Sequence, residues 1–104
     1  MNTSPNELEE IVERKSQLKP KLPKKYKVIL LNDDYTPMEF VVEVIKRVFG
    51  KTHDEATKIM LQIHTEGIGI CGIYSLEIAE TKMNQVLNLS KESQHPLQCI
   101  IEKI

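Results

Sequence analysis

Apolar and polar positions change period several times along the chain, and each change marks an element. In "YKVILL", Tyr26, Val28 and Leu30 alternate with Lys27, Ile29 and Leu31, which predicts a strand. From Val41 the interval lengthens. Val41, Val44, Ile45 and Val48 recur at helical spacing and predict a first helix. Thr36-Pro37-Met38-Glu39 precedes it, with Thr36 expected as the cap, Pro37 at the first helical position and Glu39 completing a capping box. Gly50 suits the left-handed position beyond the helix end. Thr52-His53-Asp54-Glu55 repeats the box and opens a second helix, striped by Ala56, Ile59, Met60 and Ile63 and stopped at Gly67. "GIGICGIY" alternates and reads as a strand. Ser75 then caps a third helix, with Glu77 in its first turn and Ile78, Ala79, Met83, Val86 and Leu87 as its stripe. "LQCIIEKI" is the last strand. The order β-α-α-β-α-β, with three short antiparallel strands and three helices on one face, makes a small α+β two-layer open sandwich.

Charge divides the 104-residue chain differently from hydropathy. Residues 7–13 carry Glu7, Glu9, Glu10 and Glu13, and the basic run Arg14, Lys15, Lys19, Lys21, Lys24, Lys25 and Lys27 follows, punctuated by Pro20 and Pro23. Leu8, Ile11 and Val12 could form one amphipathic turn, too short to be stable alone. Residues 1–25 are therefore expected to be a flexible extension, and 26–104 the folded core. The net charge of −1 gives no global argument for nucleic acid or membrane binding. No apolar run approaches the roughly 20 residues that span a bilayer, and the acidic N-terminus is no signal peptide. Cys71 and Cys99 form no C-x-x-C pair and read as two buried thiols in a reducing cytoplasm, although adjacent strands could pair them. Nothing demands more than a monomer.

Three motifs invite chemistry. Gly67-x-Gly69-x-x-Gly72 matches a dinucleotide fingerprint, but it follows a helix and lies within a strand, where glycines mark a bulge or a close backbone approach. Asp33-Asp34 at a strand end suggests an alternative, a receiver-like metal-binding signalling domain, yet that fold needs five parallel strands and further acids at later strand ends. Asn-Asp-Asp is also ordinary turn material. His64 is more informative. It shares a helix face with Met60, toward which Met38 and Val41 of the first helix would pack. The result is an apolar hole walled by Met38, Val41, Met60 and Ile63, rimmed by Asn32, Asp33 and a neutral His64. Carboxylate, amide and imidazole acceptors converging there want an ammonium. No serine or cysteine has partners resembling a catalytic triad, so the hole is a binding site for something amphipathic.

"YKVILLNDDYTPMEFVVEVIKRVF", "ATKIMLQIHTEGIGICGIYSLEIAETK" and "HPLQCIIEK" resemble the ClpS family, adaptors that hand N-end-rule substrates to Clp AAA+ proteases. The resemblance covers residues 26–104 and implies a non-enzymatic adaptor without cofactor or metal. By that resemblance Asn32, Asp33 and His64 bind the substrate's free α-amino group. Leu30, Thr36, Met38, Val41, Met60, Ile63 and Leu97 line the pocket for an N-terminal Leu, Phe, Tyr or Trp side chain, with Ile63 narrowing it. Asp34, Tyr35 and Pro37 support the loop, and Glu77 and Lys82 face the N-terminal domain of a ClpA- or ClpC-type unfoldase. The extension would serve in delivery.

Overall fold

A computed structural model of the chain describes residues 24–104. The acidic and basic stretches through residue 23, including the turn expected at Leu8, Ile11 and Val12, lie outside the described residues. The elements are β1 (Tyr26–Leu31), α1 (Met38–Phe49), α2 (His53–Glu66), β2 (Ile68–Tyr74), α3 (Leu76–Glu92) and β3 (Gln98–Lys103). The order β-α-α-β-α-β is as the sequence predicts. β1 is the central strand of a β2-β1-β3 sheet and pairs antiparallel with both neighbours. Three antiparallel strands leave no place for the five-stranded parallel sheet of a receiver domain, so that alternative falls.

Alternation along β1 decides what the sheet buries. Val28 and Leu30 are fully buried and meet Val44, Ile45, Val48, Ala56, Ile63, Ala79 and Val86 from the three helices. Burying each such side chain contributes about 1.5–3 kcal/mol. The third-helix stripe is narrower than its sequence suggests: Ala79 and Val86 are buried, whereas Ile78 and Leu87 remain exposed. β2 carries a bulge. Val28 faces Gly72 while Ile29 faces Ile70, so Cys71 is the extra residue and turns inward. Cys71 and Cys99 then flank β1 from opposite sides. Two strand spacings, roughly 9–10 Å, separate them, beyond the ~7 Å Cα reach of a disulfide. Both thiols are free and buried, and burial pushes each up to about 12, with Cys99 adding to the rise at Cys71. Such thiols are not nucleophiles at neutral pH.

Helix ends show which local signals were used. At α2 the box is complete: the Thr52 hydroxyl accepts from the Glu55 amide (3.2 Å) and the Thr52 amide donates to Glu55 (3.0 Å). Gly50 and Gly67 hold left-handed conformations at φ 65° and 90°, which favour glycine. At α1 the expectation fails. Pro37 is the N-cap instead of the first helical residue, and its carbonyl accepts from Phe40 and Val41. Thr36 makes no cap because Asp33 has claimed both its amide and its hydroxyl. Ser75 stands at the α3 cap position without a side-chain bond.

Candidate binding pocket

The turn from β1 into α1 is built around Asp33. Its Oδ1 accepts from the amides of Tyr35 (2.8 Å) and Thr36 (2.7 Å), and its Oδ2 from the Thr36 hydroxyl (2.7 Å). Partial burial works to raise the Asp33 pKa. The Thr36 hydroxyl, the Thr36 and Tyr35 amides and the nearby His95 outweigh it and hold the carboxyl below the ordinary Asp value. One residue earlier, the Asn32 amide donates to the Gly67 carbonyl (2.8 Å). That bond ties the loop to the end of α2, and His64 sits on the last turn of that helix. Asn32 and His64, distant in sequence, thereby become neighbours on one rim.

Below the rim opens a cavity of about 200 Å³ lined by Leu31, Asn32, Asp33, Asp34, Thr36, Met38, Val41, Met60, Ile63, His64 and Leu97. For scale, a cavity of roughly 150 Å³ holds a benzene ring. A Leu or aromatic side chain therefore has room. The structure brings together nine residues of the sequence-derived pocket and rim, and adds Asp34 and Leu31 to them. It does not bring Leu30, which is fully buried in the core and absent from the lining; Leu31, at the strand end beside Asn32, takes its place. Tyr35 is 81% exposed, so its ring points away from the cavity and only its amide supports the loop.

The two acids divide their work. With three bonds accepted, Asp33 has used most of the roughly four lone-pair sites of a carboxylate. Asp34 is exposed on the lining and accepts no hydrogen bond among the described residues. Sequence reasoning gave the opposite division, with Asp33 receiving the ligand and Asp34 supporting the loop. The geometry bonds Asp33 into the turn and leaves Asp34 exposed on the lining. It also reveals His95, which packs edge-on against Phe40 (centroids 4.6 Å apart) and acts on Asp33 through its charge. Its placement comes from the α3–β3 turn, where the His95 amide donates to the Ser90 carbonyl, a contact no local pattern announces.

Ile63 is held by the opposite strand. A Cβ at Gly69 would stand 2.5 Å from Ile63 Cγ1 and 3.2 Å from Cδ1, so the ethyl arm occupies space left by glycine. The ethyl arm of Ile63 therefore leans on β2 while the residue still lines the cavity. Gly72 has a parallel reason, because Tyr74 covers it. Two glycines of the fingerprint are thus packing positions, and the third, Gly67, is the left-handed helix end. On α3, Glu77 is exposed in the first turn, whereas Lys82 is half-buried and its Nζ donates to the Val48 carbonyl at the end of α1 (2.8 Å). That ammonium also lies 6.0 Å from the Tyr74 ring centroid. The two residues share a helix but differ in exposure, lying roughly 140° apart around its axis. Among the described residues no cluster of three His, Cys, Asp or Glu could hold a metal, and no helix is long and apolar enough to cross a membrane.

Residues 21–100 match the family model described as ATP-dependent Clp protease adaptor protein ClpS. An adapter protein ClpS of Gluconobacter oxydans is 63% identical over 81 residues, covering 78% of this chain and 68% of the relative. The Rhodospirillum centenum protein of the same name is 55% identical over 89 residues, covering 86% and 82% respectively. Among solved structures, Agrobacterium tumefaciens ClpS2 bound to L-phenylalaninamide superposes with a TM-score of 0.77 at 43% identity, over 79% of this chain and 99% of that one.

Proposed function

The chain belongs to the ClpS family of ATP-dependent Clp protease adaptors, which are not enzymes, and on that premise we propose that it captures proteins by a free N-terminal Leu, Phe, Tyr or Trp. The observation that carries this reading is the juxtaposition of an apolar cavity of about 200 Å³ with Asn32, His64 and the Asp34 carboxylate, which accepts no hydrogen bond among the described residues, on one rim. Binding of L-phenylalaninamide by a relative that superposes on this chain supports it, since that ligand joins a free α-amine to a phenyl side chain.

The physics of selection is a coincidence detector. A peptide α-amine titrates at about 7.7–8.0 and is mostly cationic at neutral pH. Three acceptor groups on the rim can take its three N–H donors. Each charge-assisted bond contributes about 1.5–3 kcal/mol, and the buried side chain about 1.5–3 kcal/mol more, before ordering costs. An internal Leu offers the side chain without the cation and leaves the rim unpaired. An N-terminal Ser offers the cation without the apolar group. Met38 and Met60 supply adaptable walls that can close on leucine or on a ring.

Delivery follows from the other side of the molecule. Glu77, with the exposed Leu76 and Ile78 around it, presents α3 to the N-terminal domain of a ClpA- or ClpC-type unfoldase in the cytoplasm. Lys82 contributes by anchoring α3 to the end of α1. The protein acts as a monomer in this scheme.

The test is a set of otherwise identical peptides that differ only at the first residue, bound to the chain and to Met38→Ala. Leu, Phe, Tyr and Trp are expected to bind the parent chain at least tenfold more tightly than Ser, Asp, Val or Ile. In Met38→Ala the widened wall should admit Val and Ile, raising their affinity several-fold while that of Leu falls. Equal binding of all first residues to the parent chain would refute the reading.

A further inference from the structure

The helices cover one side of the sheet, and among the described residues no element covers the other. Ile29 alternates with Val28 and Leu30 and turns to that open side; it is buried, yet it is no part of the helix-side core. Ile70 on β2 and Ile100 on β3 stand directly opposite it. Past the bulge, Ile73 stands opposite Lys27, as Glu102 does from β3. Ile68 begins the same row on β2, and Ile104 continues β3 with its amide donating to the Lys25 carbonyl (3.0 Å). Ile29 is 3% exposed because its two neighbours seal it, whereas Ile68, Ile70, Ile73 and Ile100 remain 42–53% exposed. A contiguous apolar strip of this kind marks an interaction surface. We propose that residues 8–18 of the same chain, which lie outside the described residues, cover the strip as a short helix.

Size and tether choose that occupant. Two strand spacings make the strip about 10 Å wide, and from Ile68 to Ile73 it runs roughly 16 Å. A helix is about 10–12 Å across, and eleven helical residues are about 16 Å long. Two separate proteins that associate stably need about 800 Å² a side, several times this strip. A tethered segment escapes that requirement because its effective concentration is high. Leu8, Ile11, Val12 and Leu18 fall within about 120° of a helix circumference. Lys15 shares that sector and can lay its apolar stem on the isoleucines while its ammonium stays in water. Alone, so short a helix is marginal; the strip supplies the burial it lacks. Pro20 stops it, and residues 19–24, about 20 Å when extended, lead into β1, the strand under the middle of the strip. Charge agrees, since Glu7, Glu9, Glu10 and Glu13 meet an open side that carries Lys27, with Lys25 two residues before it.

The experiment uses the full chain with labelled isoleucine methyls, read by NMR at two protein concentrations, and limited trypsin digestion beside it. The variant L8S/I11S/V12S touches nothing in the described fold. It should shift the Ile70, Ile73 and Ile100 methyl signals and leave that of Ile63, on the helix side, in place. Trypsin cleavage after Arg14 and Lys15 should accelerate roughly tenfold in that variant, because the covered segment is cut only when it opens. I70T/I100T removes the apolar surface with strand-forming residues and should give a similar acceleration. Methyl signals indifferent to L8S/I11S/V12S, or unchanged cleavage in either variant, overturn the assignment. So does a concentration-dependent shift of the same methyls that persists in L8S/I11S/V12S, the mark of a second copy on the strip.

Discussion

Replacing Asp34 by Ala should weaken binding of a Leu-first peptide by roughly 10- to 100-fold, the loss of one charge-assisted hydrogen bond to the α-amine. The same change should leave the melting temperature nearly untouched, because Asp34 is exposed and holds nothing else among the described residues. Asp33→Ala should behave in the opposite way. It would orphan the amides of Tyr35 and Thr36 and the Thr36 hydroxyl, costing about 1–3 kcal/mol of stability, and would lose affinity only because the rim loosens. Asp33→Asn keeps a carbonyl acceptor and should recover much of that stability. Acid supplies an independent check. The folded carboxyl of Asp33 lies below its ordinary value, so its contribution is fully present above the unfolded pKa of about 3.9 and is lost as pH falls through the lower folded value. The loop should therefore keep its shape across neutral pH and weaken only below about pH 4. Thermal melts and peptide titrations on the two alanine variants separate the roles, and equal losses of affinity without loss of stability in Asp33→Ala would reverse them.

The second large effect is expected at Gly69. Introducing Ala should destabilise the domain by about 1–3 kcal/mol through overpacking, because the new Cβ meets Ile63 Cγ1. Ile63 is β-branched and stiff at χ1, so it cannot swing aside cheaply. Whatever movement occurs pushes a pocket wall into the cavity, and affinity for Trp-first and Phe-first peptides should fall more than for Leu-first ones. A domain of this size loses about 4–8 °C of melting temperature per kcal/mol. Ile63→Ala is destabilising alone, but combined with Gly69→Ala the cost should be clearly less than additive, since the deleted arm is what the new methyl strikes. Additive losses, or a Gly69→Ala variant within about 0.5 kcal/mol of the parent, would show that β2 does not set the Ile63 wall.

These two positions also mark the boundary of what the sequence could reveal. Periodicity read the elements correctly because each helix buries one face, the strands carry their apolar residues in short runs, with Val28, Ile29 and Leu30 all buried in central β1, and Gly50 and Gly67 stand where left-handed backbone is needed. It could not rank two identical local signals. Thr36 and Thr52 both precede a glutamate by three residues, yet only Thr52 caps. An aspartate three residues before Thr36 offers a stronger acceptor and removes it from the helix. The rim acids illustrate the same competition, for which of Asp33 and Asp34 is free depends on which one the turn consumes. Alternation set Leu30 on one face with Tyr26 and Val28 without saying what that face meets, and the resemblance put it in the pocket; the structure buries Leu30 in the core and has Leu31 on the lining. Contacts between distant segments were out of reach. Lys82 on the Val48 carbonyl spans 34 residues, and His95 reaches Asp33 across most of the core domain.

One titration bears most directly on the central claim, that a cation and an apolar side chain must arrive together. A Leu-first peptide and its N-acetylated twin differ in nothing that the cavity itself contacts, only in what reaches Asn32, Asp34 and His64. Calorimetry is expected to show binding in the micromolar range or modestly tighter for the free amine, about −8 to −9 kcal/mol, and a loss of at least a hundredfold on acetylation. Equal affinity for the two peptides would contradict the account.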